Sequence, residues 1–288
     1  MKSIGVIGLG NMGRGMALSL QRGGFHVVGT DASPATRDAL RKEGVAVKDT
    51  IGEVVADSEM IILSLPTAAI VTEVVAGPGG IIESAKPGVL VVDTSTSHPD
   101  TTRKLARQLE AAGMRMMDAP VSGGPKGAIT GTMAMVIGGS KEDLAEAEPV
   151  LAAMTGKRVH VGNIGAGHVA KIANNLLTAS HLIIAAEVTR MAAKAGVPTD
   201  QLLQGINAGS GRSFVTEHSF PTWIANGKFD SGFTMKLMRK DVRLASELIG
   251  VLEMDLPMAR KVAELWAVSA ETIGDDEDFN RIVELGTR

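Results

Sequence analysis

Four clusters in this chain of 288 residues combine types and spacings that can do chemistry. Lys171 and Asn175 lie four residues apart in a stretch otherwise free of formal charge from Gly165 to Ala186. On a helix that spacing puts both side chains on one face. An ammonium buried there is costly, and burial lowers its pKa toward neutrality. A lysine so tuned accepts a hydroxyl proton and returns it in the reverse direction. Ser122-Gly123-Gly124 offers a hydroxyl and unhindered backbone N–H groups, which suit a carboxylate. Gly8-Leu9-Gly10-Asn11-Met12-Gly13 is a GxGxxG string: Gly8 for a tight turn, Gly10 for close backbone approach to a pyrophosphate, Gly13 for helix–strand packing. Asp31 follows Gly13 by 18 positions, where a carboxylate binds the adenosine ribose hydroxyls and repels a 2′-phosphate. NAD is therefore expected rather than NADP, although Arg37 leaves a route to the phosphate open.

Taken singly, each cluster has a bland alternative. The lysine can snorkel to solvent, the asparagine can cap a loop, and Ser-Gly-Gly can be a simple turn. With 34 glycines, a GxGxxG string also arises by chance. Context decides between these readings. The first half alternates short β-branched runs with helical patterns, as βαβ units and a parallel sheet do. Strands are expected at Ser3–Ile7, 25–30, 60–64, 89–92, 114–117, 133–137 and 158–161. Helices are expected at Asn11–Arg22, Pro34–Lys42 with Ser33 as N-cap, 68–75, 99–112 and 141–153. The glycine string thus follows a strand and opens a helix, the context that gives it weight.

Beyond Gly162 only helices are expected, at 167–195, 199–206, 234–252 and 257–273, with an acidic turn at 275–278 leading into a last one. The pattern predicts an N-terminal Rossmann-type doubly wound α/β domain over 1–162. An all-helical substrate and oligomerisation domain follows over 163–288. The 167–195 helix is apolar on nearly every side and is expected to be buried all round, between domains or at the interface of a homodimer or homotetramer.

Composition removes several function classes. A net charge of -3 gives no electrostatic reason for nucleic acid or an acidic membrane as partner. Aromatics are 3% of residues, too few for base-stacking platforms. With no cysteine there is no disulfide, thiolate nucleophile or thiolate metal site, which suits a reducing cytoplasm. Met1-Lys2 and the apolar run after it do not make a signal peptide, because five glycines and Arg14 interrupt the run. Residues 172–186 are uncharged but fall short of a bilayer span. His98 is expected at a helix start, His168 at the surface or in a cleft, and Asp118 in a structural role at a strand end; no metal site is expected.

Five motifs occur in order: the glycine string, Asp93-Thr-Ser-Thr96-Ser-His-Pro99, Asp118-Ala-Pro-Val-Ser-Gly-Gly124, Gly165-Ala-Gly-His-Val-Ala-Lys171-Ile-Ala-Asn174-Asn175, and Phe233-Thr-Met-Lys-Leu237-Met-Arg-Lys240-Asp241. Together they resemble the signature set of the β-hydroxyacid dehydrogenase family, over nearly the whole chain. That resemblance implies Lys171 as catalytic acid/base, Asn175 as its substrate-binding neighbour, and Ser122, Gly123 and Gly124 as holders of the substrate carboxylate. It implies Thr96 and Lys240 beside the nicotinamide, and Leu65-Pro66 lining the cofactor cleft. The substrate would be a small 3-hydroxy acid or its semialdehyde.

Decarboxylating 6-phosphogluconate dehydrogenases, which share the lysine–asparagine helix, carry glutamate three positions after the asparagine; here that position is Thr178. Imine-reductase-like relatives replace the lysine, which this chain keeps. Asn207-Ala-Gly-Ser-Gly211-Arg212-Ser213 falls where the family builds part of its substrate pocket. Arg212 there favours a polar or anionic tail, as in glycerate, threonate or a sulfonate; pointed at solvent it would mean nothing. Two further readings stay open: an NADPH-linked semialdehyde reductase, and an NAD-binding module that has lost the chemistry.

Overall fold

The computed structural model describes residues 3–286, and the Met1-Lys2 pair weighed as a leader lies outside them. The described chain forms two compact units that divide after Lys171.

The first unit begins β1 (Ser3–Ile7), α1 (Asn11–Arg22), β2 (His26–Thr30), α2 (Pro34–Lys42), β3 (Ala46–Val47), α3 (Ile51–Ala56) and β4 (Met60–Leu63). It continues with α4 (Ala68–Ala76), α5 (Ile81–Ser84), β5 (Leu90–Asp93), α6 (Pro99–Ala111), β6 (Arg115–Asp118) and β7 (Val121–Ser122). Then come α7 (Gly124–Thr130), β8 (Met133–Gly138), α8 (Lys141–Met154) and β9 (Thr155–Gly162). The strands lie in the order β3-β2-β1-β4-β5-β6-β8-β7, with β9 against β8. Pairing is parallel from β3 to β6, and β8 runs antiparallel to β6 and β7. The strand order reverses between β1 and β4, and the crevice at the carboxyl ends of such strands is where doubly wound folds bind ligands.

Helices cover both faces of the sheet, and side-chain alternation shows it. Ile4, Val6, Met60, Ile62, Leu90 and Val92 point into one core. Ile7, Ile61, Leu63 and Val91 point into the other. That is why these strands read as unbroken apolar runs. The expected N-cap of α2 is present, Ser33 Oγ accepting the Thr36 N–H at 3.3 Å.

The second unit starts inside α9 (Ala166–Lys194) and adds α10 (Thr199–Ala208), a π-helical segment Val215–Ile224, α11 (Met235–Val251), α12 (Pro257–Val268) and a short 3-10 segment Phe279–Glu284. Ala179, Leu182 and Ala185 of α9 join Val215, Phe220, Met238 and Trp266 in its core, and Trp266 Nε1 donates to the Ala179 carbonyl at 3.3 Å.

Within a single chain α9 is not covered on every side: Leu177, Ile184 and Met191 are 59, 53 and 66% exposed, a stripe at seven-residue spacing opposite the packed face. The helix as a whole, with its 29 residues, passes for a membrane span by length and composition, a test that the core helix of a soluble protein also passes.

The glycine loop between β1 and α1 leaves no room for error at Gly13. A Cβ there would lie 1.8 Å from the Gly8 carbonyl oxygen. Gly13→Ala is expected to cost about 1–3 kcal/mol and to lower the melting temperature seen by calorimetry. An unchanged transition would mean that α1 does not need this approach to the sheet.

Candidate active site

The glycine loop sits at the carboxyl end of β1, and its three glycines are not equivalent. Gly8 holds φ +91°, and a Cβ on it would meet the Ser64 carbonyl at 2.3 Å. Gly10 is exposed, and a Cβ on it would meet nothing within 4 Å. The fold therefore requires glycine at 8 and 13 but not at 10. Gly10 is also the N-cap of α1, where no side chain caps the helix and no acid occupies the first turn, while Asn11 is exposed and Met12 partly so. Uncapped N–H groups at a positive helix end suit the pyrophosphate of a dinucleotide.

Asp31 follows β2. Its Oδ2 accepts the Leu9 N–H at 2.7 Å and its Oδ1 the Ser33 N–H at 2.9 Å, which ties the end of β2 to the glycine loop. A carboxylate has about four acceptor positions, so two remain for ribose hydroxyls. Arg37 lies against the same turn, donating to the Asp31 carbonyl at 2.7 Å, and pairs with the exposed Asp49 at 3.3 Å. Leu65-Pro66 follow β4, and the Leu65 N–H donates to Ser95 Oγ at 3.0 Å. Thr96, partly buried, is in the loop after β5.

Lys171, 8% exposed, donates from Nζ to Ser122 Oγ at 2.8 Å, bringing together two residues 49 positions apart. Gly123 and Gly124 follow with φ of +125° and +62°, values that side chains with a Cβ rarely adopt. The backbone beside the amine is thus bare.

In the second unit, Asn175 is one turn beyond Lys171 on α9 and is buried. Its Nδ2 donates to Asp241 Oδ2 at 2.5 Å, and Lys240 Nζ pairs with Asp241 Oδ1 at 3.0 Å. Asp241, 2% exposed, therefore holds two of the expected site residues at once. In the sequence Asp241 only ends the fifth motif; its one signal there is a charge next to Lys240 inside an apolar helix pattern. Arg212 is exposed on the loop between α10 and the π-helical segment, and is not drawn to the other site residues of its unit by any hydrogen bond or ion pair among the described residues. Thr178 donates to the Asn174 carbonyl at 3.0 Å, a bond within its own helix.

His98 caps α6, Nδ1 accepting the Asp100 N–H at 3.3 Å, as expected. His168 corrects the expectation of a surface or cleft residue: it is 0% exposed. Nothing in the sequence marks this, because its partners Ser95 and Thr102 come from distant segments. Asp118 is structural, accepting the Gly165 N–H at 2.6 Å and the His168 N–H at 2.7 Å at the start of α9. Burial pushes its carboxyl above the usual carboxylate range, against the pull of His168 and of these two N–H groups.

Known proteins are similar to this chain along its whole length. The NAD-binding domain of 6-phosphogluconate dehydrogenase matches residues 3–165, and the NAD-binding domain of NADP-dependent 3-hydroxyisobutyrate dehydrogenase matches residues 165–285. The 2-(hydroxymethyl)glutarate dehydrogenase of Eubacterium barkeri is 35% identical, over 98% of this chain and 94% of its own length. Mouse mitochondrial 3-hydroxyisobutyrate dehydrogenase is 33% identical, over 98% of this chain and 86% of its own. Among solved structures, Mycobacterium tuberculosis 3-hydroxyisobutyrate dehydrogenase with L-serine is similar at a TM-score of 0.92 and 34% identity, covering 99% of this chain and 98% of that one. With an NAD(P)-binding domain and relatives of this kind along its length, the chain belongs to the β-hydroxyacid dehydrogenase family.

Proposed function

We propose that the chain oxidises the hydroxyl carbon of a small, polar 3-hydroxy acid with NAD, or reduces the corresponding semialdehyde, with Lys171 as general acid and base. The observation that carries this reading is the buried Lys171 amine 2.8 Å from the Ser122 hydroxyl, beside the bare backbone of Gly123 and Gly124. Bound NAD supplies the hydride acceptor. Lys171 takes the hydroxyl proton as the carbon is oxidised and returns it in reduction. Ser122 and the two glycines hold the carboxylate. Asn175 and Lys240 serve the same reaction by their match to the family's motifs, and Asp241 fixes the geometry of both. Leu65, Pro66 and Thr96 line the nicotinamide side.

Asp31 supports NAD over NADP. A polar tail rests on the sequence position of Arg212, to which its exposed side chain adds no support, and on the relative whose substrate, 2-(hydroxymethyl)glutarate, has a second carboxylate. The exposed stripe Leu177, Ile184 and Met191 supports a homodimer or homotetramer in which a second copy covers it, and a chain without cysteine suits the cytoplasm.

Four outcomes are expected. Nicotinamide absorbance, followed with NAD and NADP against 3-hydroxyisobutyrate, serine, glycerate and 2-(hydroxymethyl)glutarate, shows NAD-linked turnover whose kcat falls about 10²–10⁴-fold in Lys171→Ala. NADPH-linked turnover would favour the semialdehyde reductase, and NAD binding without turnover the inactive module. In the same panel Arg212→Ala lowers kcat/KM for the polar acids alone; equal loss for 3-hydroxyisobutyrate removes Arg212 from the site. Gly10→Ala leaves the melting temperature of the free protein unchanged and weakens NAD binding by about tenfold, roughly 1.4 kcal/mol. Undiminished affinity would place the pyrophosphate elsewhere. Sedimentation equilibrium gives a dimer or tetramer that Ile184→Glu shifts toward monomer, and a monomeric parent protein contradicts the assignment.

A further inference from the structure

One buried side chain in the first unit has no part in the reaction just described. The His168 ring is 0% exposed. Its Nε2 lies 3.0 Å from the Ser95 carbonyl, and since a carbonyl only accepts, Nε2 carries a hydrogen. Its Nδ1 lies 2.8 Å from Thr102 Oγ1 of α6, and that hydroxyl is 3.3 Å from the His98 carbonyl. Two buried carboxylates face the ring, Asp93 at 3.9 Å from Nε2 and Asp118 at 3.8 Å from Nδ1. Among the described residues Asp93 Oδ2 has no hydrogen-bond partner, while Oδ1 accepts the Ser95 N–H at 2.9 Å.

These bonds converge on the cofactor side of the unit. Ser95, whose carbonyl accepts the His168 Nε2–H bond, uses its hydroxyl to accept the Leu65 N–H. Thr96 is the next residue. At the other end, the His168 backbone N–H is fixed on Asp118, and Lys171 follows three residues later, almost one turn along α9. A single imidazole therefore joins the turn that carries the amine to the loops after β4 and β5.

We propose that His168 is a positioning residue, which keeps Lys171 in place against the loops Leu65-Pro66 and Ser95-Thr96 by bonding the first turn of α9 to the Ser95 carbonyl. The proposal rests on Lys171 as the acid/base group. A misplacement of about 1 Å far from the reacting atoms costs on the order of 100-fold in rate. The chemistry, rather than binding, is what His168 protects.

The test compares His168→Ala and His168→Gln with the parent protein. A glutamine amide can donate to the Ser95 carbonyl as Nε2 does, whereas alanine cannot. Expected in His168→Ala is a fall in kcat of about 10- to 100-fold, with KM for the hydroxy acid and NAD affinity by titration little changed. His168→Gln recovers most of the kcat. A parent-like kcat in His168→Ala, a glutamine variant as slow as the alanine one, or a loss that merely follows NAD affinity and melting temperature overturns the proposal. Competitive labelling of Lys171 with an amine reagent, mapped by mass spectrometry, reads the same placement without turnover. Altered labelling in His168→Ala that reverts in His168→Gln supports positioning even if no 3-hydroxy acid is a substrate. Labelling identical in all three proteins refutes it.

Discussion

The Asp118 carboxylate is the fixed point from which the rest of the first unit's chemistry is built. It ends β6, and its two oxygens take the Gly165 and His168 N–H groups as α9 begins. Two of the orphan donors at the start of a helix of 29 residues are satisfied by one buried anion. The neighbouring glycines make room for it. A Cβ on Gly138 would lie 2.4 Å from Asp118 Oδ1, and one on Gly167 would lie 2.7 Å from the Asp118 carbonyl and 2.9 Å from Oδ2. Lys171 can meet Ser122 because the strand before Ser122 and the helix of Lys171 are pinned to the same carboxylate.

The cofactor crevice follows a different logic, in which the same residue type does opposite things. Gly8 and Gly13 are needed for the sheet and helix to touch; Gly10 is surrounded by open space. The first two are requirements of folding, and the third is a requirement of whatever enters. Asp31 serves both purposes, since it ties the loop to β2 while keeping acceptor positions.

Much of this was legible in the sequence because the signals were local. The strand–GxGxxG–helix string, the acidic residue after β2, the Ser33 cap and the helix expected from 167 all depend on residues close together in the chain. The short elements were not read: β3, α3 with its Thr50–Glu53 capping box, α5, β7 and α7 have too few residues to show a period. The burial of His168 and the double engagement of Asp241 were also missed. Both depend on partners from remote segments, and His168 looks no different from a surface histidine until Ser95 and Thr102 surround it. The long helix expected at 167–195 is present as Ala166–Lys194. Apolar composition identified it, but Leu177, Ile184 and Met191 show that composition cannot say which side a single chain covers.

Trp266, clamped to the Ala179 carbonyl of α9, also decides how the protein can be watched. The chain has two tryptophans and no tyrosine, and both tryptophans, Trp223 and Trp266, belong to the second unit. Intrinsic fluorescence is therefore a local probe of the helical unit, and the sheet that carries the glycine loop is optically silent. Calorimetry registers heat from both. Whether the two signals change together is then a direct measure of how far α9, continuous from one unit into the other, makes them melt as one.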